Sequence, residues 1–226
     1  EEEILSKHLP AFVSAHRDLL SADVVYSSDG PMHPTGPMVY FGCRGTLNLE
    51  LTAHGAKRDL HSGNYGGVAP APAGRLAQAL ASLWSSRGRV AVSGFYDRVR
   101  KPSPADRRVL RAIPFEEESV RNDLGCLPLT GPGGRAYYRR LLLQPNLNVA
   151  GLTGGYQGTG MKTIIPHVAR AKVDARLVMD QDPDEIEEKI RVHLKRRGFG
   201  DVEVKRLGAV PPSRTPVDHP LGKAVV

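Results

Sequence analysis

The 226-residue chain contains two cysteines, one tryptophan and no long apolar run. Cys43 and Cys126 are too few for a disulfide framework and lack metal-ligand spacing, a pattern that fits a reducing compartment, so we expect a cytoplasmic protein. The longest apolar run is the four residues Met38–Phe41. A membrane-spanning helix needs about 20 such residues, so we expect no membrane partner.

The chain also lacks an initiator methionine and a basic leader. It begins with three glutamates, Glu1 to Glu3, the reverse of a secretory signal. We therefore expect a piece of a longer protein.

Positive charge is in modest excess, with a formal net charge of +7. Two interpretations are open: an acidic partner or nucleic acid, or a solvated basic face. The charge is concentrated in one irregular stretch, in Arg107, Arg108, Arg111, Arg135, Arg139 and Arg140.

Regular periodicity begins at Thr46. Leu47, Leu49, Leu51 and Ala53 alternate with polar residues, which predicts a strand with one buried face. A helix follows Pro70 and Pro72, with a core stripe at Leu76, Leu80, Leu83 and Trp84.

The pattern returns after residue 145. Leu147, Val149 and Gly151 predict one face of a short strand, and His167–Val178 predicts a longer one that turns Arg176 away from the helices. Asp182 then caps a helix that Gly198 ends, and Val202 and Val204 mark a last strand. We interpret residues 86–145 as a helical insertion.

The order β-α-β-β-α-β predicts an α+β, ferredoxin-like fold: a four-stranded antiparallel sheet with two helices on one face. RNA-binding modules of this topology stack bases on aromatic residues of the third strand. The third strand here has none between His167 and Val178, so we predict no nucleic-acid partner.

Residues 1–44 are interpreted as a separate segment of the chain. Ser6 is a candidate cap for a helix running towards Asp18, and two short apolar runs, Val24–Tyr26 and Met38–Phe41, predict buried strands.

A glycine-rich loop at 154–163 resembles a phosphate loop, but Met161 interrupts the motif and a strand follows, so a nucleotide site is not expected.

The stretch Asp59–Gly67 holds His61 among three glycines between a predicted strand and a predicted helix. Such a turn can present an imidazole outward, and it can equally be a solvated connection. Adjacent carboxylates at Glu1–Glu3, with Asp29 following 26 positions after Glu3, are either a solvated acidic terminus or hard oxygen ligands with a spare base for a divalent metal.

Several short motifs, taken in order, resemble the dinuclear zinc hydrolase family that includes aminoacylase, carnosine dipeptidase and glutamate carboxypeptidase. The histidine turn is the most specific of them. The motifs are Glu1-Glu2-Glu3-Ile4-Leu5-Ser6, Ser28-Asp29-Gly30, Arg44-Gly45, Asp59-Leu60-His61-Ser62-Gly63, Lys162-Thr163-Ile164-Ile165-Pro166 and Ala175-Arg176-Leu177-Val178.

The resemblance implies roles for six residues. Glu2 resembles the general base, Glu3 and Asp29 resemble metal ligands, and His61 resembles a lid histidine that reaches a partner subunit's site. Thr163 and Arg176 resemble lid residues that hold the substrate carboxylate. The implied cofactor is a pair of zinc ions, with manganese or cobalt as alternatives, and the implied substrate is a small peptide or N-acyl amino acid.

The resemblance also implies a domain arrangement. Residues 1–44 would be a segment of an α/β catalytic domain, 45–208 a lid that forms a homodimer, and 209–226 a linker returning to the catalytic domain. The family's site also needs an upstream histidine, a bridging aspartate and a downstream histidine, and Leu5 replaces its usual glycine. We therefore expect this chain alone to be inactive and to bind zinc weakly. The alternative is a stand-alone ferredoxin-like dimerisation or ligand-binding module.

Overall fold

The computed structural model describes residues 6, 8–25, 27, 36, 38–125, 128–129 and 131–225. The helices are α1 (Leu9–Ala15), α2 (Ser62–Tyr65), α3 (Pro72–Ser82), α4 (Pro104–Ala112), α5 (Glu117–Leu124), α6 (Arg135–Leu143), α7 (Pro183–Arg196) and α8 (Pro220–Val225). The strands are β1 (Gly42–Cys43), β2 (Gly45–His54), β3 (Leu60–His61), β4 (Asn146–Gly154), β5 (Ile164–Ile165), β6 (Val168–Leu177), β7 (Glu203–Val210) and β8 (Ser213–Arg214).

The main sheet has the strand order β4-β6-β2-β7, with every neighbouring pair antiparallel. With α3 and α7 as the two connecting helices, this is the ferredoxin-like order that the sequence predicts. β2 and β6 lie at the centre and pair along their full length, from Gly45 opposite Leu177 to His54 opposite Val168.

One face of the sheet is apolar because alternating residues of the central strands point towards α3 and α7. Leu47, Leu49 and Leu51 of β2 are almost fully buried. They share one core with the predicted helix stripes, which comprise Leu76, Leu80, Leu83, Ile186, Ile190 and Leu194. The other face is lined by polar side chains.

α7 begins as predicted, because the Asp182 side chain accepts hydrogen bonds from the backbone N–H groups of Asp184 and Glu185. It ends before Gly198, whose φ of 82° suits glycine. His193 on its buried face contacts the last residue of α3, with Nε2 2.9 Å from the carbonyl oxygen of Ser82.

The predicted insertion is helical only from α4 onward. α4 begins with a reciprocal capping box between Ser103 and Asp106. The preceding residues are irregular but belong to the core: Val90, Val92 and Phe95 are buried, and Gln181 Nε2 donates to the Phe95 carbonyl at 2.8 Å. These apolar residues lack a regular period, so the sequence did not reveal their burial.

Three local predictions are wrong. Val24 and Val25 do not form a buried strand, and Val25 is 88% exposed. Met38, Val39 and Tyr40 are also exposed and lie outside any strand. The strand β1 begins only at Gly42. An apolar run forms a strand only where another strand pairs with it, and in the described part of the chain no sheet includes Val24, Val25 or residues 38–40.

The third correction concerns β4. A bulge shifts the register after Val149, so that Val149 lies opposite Val173 but Gly151 lies opposite Lys172. Gly151 therefore does not share a face with Val149, because an extra residue reverses the alternation.

At the other end of the chain, regular structure extends into the predicted linker. β7 continues to Val210, and β8 and α8 follow it. In the part of the chain that the structure describes, no helix is both long and apolar enough to cross a membrane.

Candidate functional site

The histidine turn and the loop before β6 meet in a short ribbon. β3 pairs with β5, with Leu60 opposite Ile165 and His61 opposite Ile164. The ribbon brings His61 Nε2 to 3.1 Å from Thr163 Oγ1. Two of the predicted site residues, separated by about a hundred positions in sequence, are therefore in contact, and both are exposed.

The contacts of His61 indicate which tautomer its neutral ring adopts. The Gly63 backbone N–H donates to Nδ1 at 3.0 Å, so Nδ1 carries no proton. The ring proton of the neutral imidazole is then on Nε2, which donates it to the Thr163 hydroxyl. The Thr163 O–H is left to donate outward, so the pair can present a polarised hydrogen-bond donor to a ligand.

The glycines of the turn are required by this geometry. A Cβ atom on Gly63 would lie 2.8 Å from His61 Cε1 and 3.0 Å from Nδ1, too close for any other residue. The sequence prediction that these glycines permit close approach is confirmed at this position.

Arg176 lies near the last residue of β6, with its Nε 3.2 Å from Asp174 Oδ2. Thr46 Oγ1 donates to the other oxygen of the same carboxylate at 3.3 Å. Arg44, directly before β2, adds a second guanidinium. Its Nη1 is buried and makes no hydrogen bond with the described residues.

This end of the sheet is electropositive. Burial and the Arg176 cation lower the pKa of Arg44 below its usual value, and the Asp174 carboxylate opposes the shift without cancelling it. Two guanidinium groups thus share one carboxylate, and the buried Nη1 is a donor that lacks an acceptor. An anionic ligand would provide both charge and acceptor.

Sequence analysis missed the role of Arg44. The Arg44-Gly45 motif contributes to the resemblance, but a single arginine before a strand carries no signal of its own. The register of β2 and β6, which sets Thr46 opposite Arg176, is what brings Arg44 close.

The two groups of site residues lie far apart. The His61–Thr163 ribbon joins β6 at Val168, which is eight residues before Arg176. About 26 Å therefore separates Val168 from Arg176 along the strand. A dipeptide spans about 7 Å. The structure therefore does not bring Thr163 and Arg176 together within one chain.

The remaining predicted residues, Glu2, Glu3 and Asp29, lie outside the residues that the structure describes. Among the described residues no three His, Cys, Asp or Glu side chains form a group that could hold a metal ion. These residues alone do not fit a metal centre, and the chemistry derived below uses none.

Comparison with known proteins identifies the domain. A family described as the peptidase dimerisation domain matches residues 41–202. Cys-Gly metallodipeptidase dug1 of Schizosaccharomyces pombe is 26% identical over 198 residues, covering 86% of this chain and 42% of that protein. The Beta-Ala-His dipeptidase of Homo sapiens is 26% identical over 194 residues, covering 86% of this chain and 37% of that protein.

Among solved structures, an M20 family metallo-carboxypeptidase, Sso-CP2 from Sulfolobus solfataricus, superposes with a TM-score of 0.90 at 34% identity. The match covers 96% of this chain and 50% of that one. The chain spans less than half the length of the two curated relatives. These matches agree with the resemblance found in the sequence motifs. The chain belongs to the peptidase dimerisation domain family.

Proposed function

We propose that this chain supplies the lid and the dimer contact of a metal-dependent peptidase that cleaves an amide bond in a small substrate with a free carboxylate. The similar metallodipeptidases and metallo-carboxypeptidase support the reaction class. We propose zinc as the metal, and Glu2, Glu3 and Asp29 as the base and ligands implied by the resemblance.

The observation that carries this proposal is the separation of two complementary half-sites. The His61–Thr163 pair offers neutral donors, and the Arg44–Arg176 end offers positive charge. A small substrate with a carbonyl at one end and a carboxylate at the other needs both. Because about 26 Å separates them in one chain, they can meet only if each comes from a different subunit.

The chemistry follows from the donors. His61 holds its ring proton on Nε2, next to the Thr163 hydroxyl, so this pair can stabilise negative charge that develops on a carbonyl oxygen. Arg176, with Arg44 beside it, can bind a carboxylate by charge-assisted hydrogen bonds and so orient the substrate. In this proposal His61 acts on the partner subunit's substrate.

The sheet edges indicate how the subunits pair. β4 lies at one edge and contains no charged residue, whereas β7 at the other edge carries Glu203, Lys205 and Arg206. Charged residues on an edge strand discourage pairing. On β4, Val149 and Leu152 lie opposite the buried Val173 and Ala171 yet are 42% and 58% exposed. We propose that β4 pairs with its copy in a homodimer.

The chain connections support the proposed domain boundaries. β1 and β8 pair side by side, with Gly42 opposite Arg214. A Cβ atom on Gly42 would lie 2.2 Å from the Ser213 carbonyl oxygen, so glycine is needed for this approach. Residues 1–44 and 209–226 thus meet where they join the lid, as expected if both belong to one catalytic domain.

A mixed-dimer experiment in the whole protein tests the proposal. His61→Ala should lower kcat about a hundred-fold or more, since removing one oxyanion donor typically costs about 2.7 to 4 kcal/mol. A dimer of one His61→Ala subunit and one Glu2→Ala subunit should regain part of the activity, because one of its two sites keeps both groups.

Homodimers of each variant, measured in parallel, give the baseline. Recovery only in the mixed dimer supports action across subunits. No recovery in a confirmed mixed dimer would show that His61 serves its own subunit or has no chemical role, and the interpretation of the histidine turn as a solvated connection would then be favoured.

A further inference from the structure

A hydrogen-bonded carboxylate–histidine pair lies beside the His61 ribbon and has no part in the proposed chemistry. One oxygen of Asp59, Oδ1, is 2.6 Å from the ring Nδ1 of His167 and also accepts the His167 backbone N–H at 2.9 Å. Asp59 is two residues before His61, and His167 directly precedes β6. We call this pair the Asp59–His167 latch.

The latch closes one end of the ribbon. The His167 carbonyl accepts the Gly55 backbone N–H at 2.8 Å, so both backbone polar groups of His167 bond to the segment that leads into β3. Beyond the ribbon, Ser62 N–H donates to the Thr163 carbonyl at 3.2 Å. The two segments that carry His61 and Thr163 are therefore joined by hydrogen bonds at both ends of the ribbon.

The ribbon needs this support because it is short. β3 and β5 each have two residues, and a two-stranded ribbon of this size is not stable by itself. The ribbon must nevertheless hold two exposed side chains at 3.1 Å. Without the latch, the described residues would hold the register by the Gly55 and Ser62 contacts, the two-residue ladder and the His61–Thr163 hydrogen bond itself.

We propose that Asp59 and His167 are positioning residues that hold β3 and β5 in register and so keep the His61 imidazole against Thr163. The expected effect of the latch on catalysis rests on the proposed function. The expected effect of the latch on the geometry of His61 does not depend on that function.

Charge and exposure are consistent with a local role. The side-chain and backbone hydrogen bonds from His167 lower the pKa of Asp59, so the carboxylate stays ionised at neutral pH. The side chains of His167 and Asp59 are 52% and 48% exposed. Exposed ion pairs contribute little to global stability, so the latch should matter for the ribbon and not for the fold.

The test uses the full chain and two readouts that need no activity. The ¹⁵N shifts of the His61 imidazole report which ring nitrogen is protonated, and hydrogen exchange at the Ser62 amide reports whether the ribbon stays closed. Asp59→Ala should speed Ser62 exchange about fivefold or more, the effect of losing one net hydrogen bond. It should also shift the His61 signals towards a mixture of tautomers.

Two variants control for trivial effects. Asp59→Asn keeps an oxygen that can accept both N–H groups, so it should restore most of the protection. His54→Ala removes an exposed pair of similar chemistry, His54 with Glu203 at 3.4 Å, and should leave His61 and Ser62 unchanged. His167→Ala, which keeps its backbone N–H, should give an intermediate result and carries the test if Asp59→Ala does not fold.

Unchanged His61 shifts and Ser62 exchange in folded Asp59→Ala or His167→Ala would overturn the proposal. Equal effects of Asp59→Ala and His54→Ala would also overturn it. In the active whole protein, Asp59→Ala should lower kcat with little change in KM. If the NMR effects occur without a change in kcat, the latch stands and the proposed role of His61 in catalysis fails.

Discussion

The buried Nη1 of Arg44 is the least satisfied polar atom near the proposed carboxylate site. The nearby Asp174 carboxylate is already bonded by Thr46 and Arg176. A buried donor without an acceptor is costly, and a ligand carboxylate would remove that cost. At the level of single residues, we therefore propose that Arg44 contacts the substrate carboxylate.

We expect Arg44→Met in the whole protein to raise KM for a substrate with a free carboxylate about tenfold or more, the loss of one charged hydrogen bond. The value of kcat should change little, since this contact is made equally in the ground state and the transition state. Steady-state kinetics measures both constants.

The control variant is Arg170→Met, an exposed arginine on β6, the strand that carries Arg176. A second control is a substrate whose terminal carboxylate is replaced by an amide. Arg44→Met should not weaken binding of the amide. An equal loss with both substrates would remove Arg44 from the carboxylate site.

At the scale of elements, α3 and α7 are joined by one buried polar contact. His193 of α7 reaches the carbonyl of Ser82, the last residue of α3, whose oxygen has no partner within its own helix. The ring is only 6% exposed. Burial lowers the pKa of His193; the hydrogen bond to Ser82 opposes this shift, and the Arg197 cation adds to it.

This shift predicts a pH dependence of stability. An unfolded histidine has a pKa of about 6.5. Because the folded-state pKa is lower, the unfolded chain binds a proton that the folded chain does not, so the His193 contribution is complete above about pH 6.5 and is lost as the pH falls.

We expect His193→Ala to cost about 1 to 3 kcal/mol at pH 8, because the Ser82 carbonyl loses its donor. The difference between wild type and variant should shrink between pH 7 and pH 5, which urea unfolding at several pH values would measure. A difference that stays constant over this range would contradict the assignment.

For the whole molecule, the two edges of the sheet differ in charge, and this difference bears on the proposed homodimer. The β4 edge is uncharged and leaves Val149 and Leu152 exposed, whereas the β7 edge is charged. The same edge strand leads through the 155–163 loop to Thr163, so pairing at β4 would bring two His61–Thr163 pairs towards the partner subunits.

We expect Leu152→Lys to convert the dimer into a monomer, because a lysine at this position places like charges opposite each other in a two-fold contact. Sedimentation velocity at micromolar concentration would measure the change. The matched control is Leu207→Lys on β7, where the leucine is 43% exposed, and it should leave the dimer intact. If Leu207→Lys dissociates the dimer and Leu152→Lys does not, the interface lies at the other edge.

Elements whose pattern is local can be predicted from the amino-acid sequence alone. Alternation gave β2 and β6, helical stripes with proline and aspartate starts gave α3 and α7, and their order gave the sheet. The histidine turn could also be predicted, because glycines are needed where the backbone passes close to an imidazole ring. In each case the signal lies within a few residues.

Tertiary structure decided everything that depends on register or on a distant partner. The His61–Thr163 contact, the charged neighbourhood of Arg44 and the burial of Val90, Val92 and Phe95 arise from residues far apart in sequence. The apolar run at Val24 and Val25 failed as a strand for the same reason, since strand formation depends on a pairing partner that a local pattern does not specify. The length of β6 separates the two half-sites within one chain, and this separation is the basis of the proposal that a site is shared between two subunits.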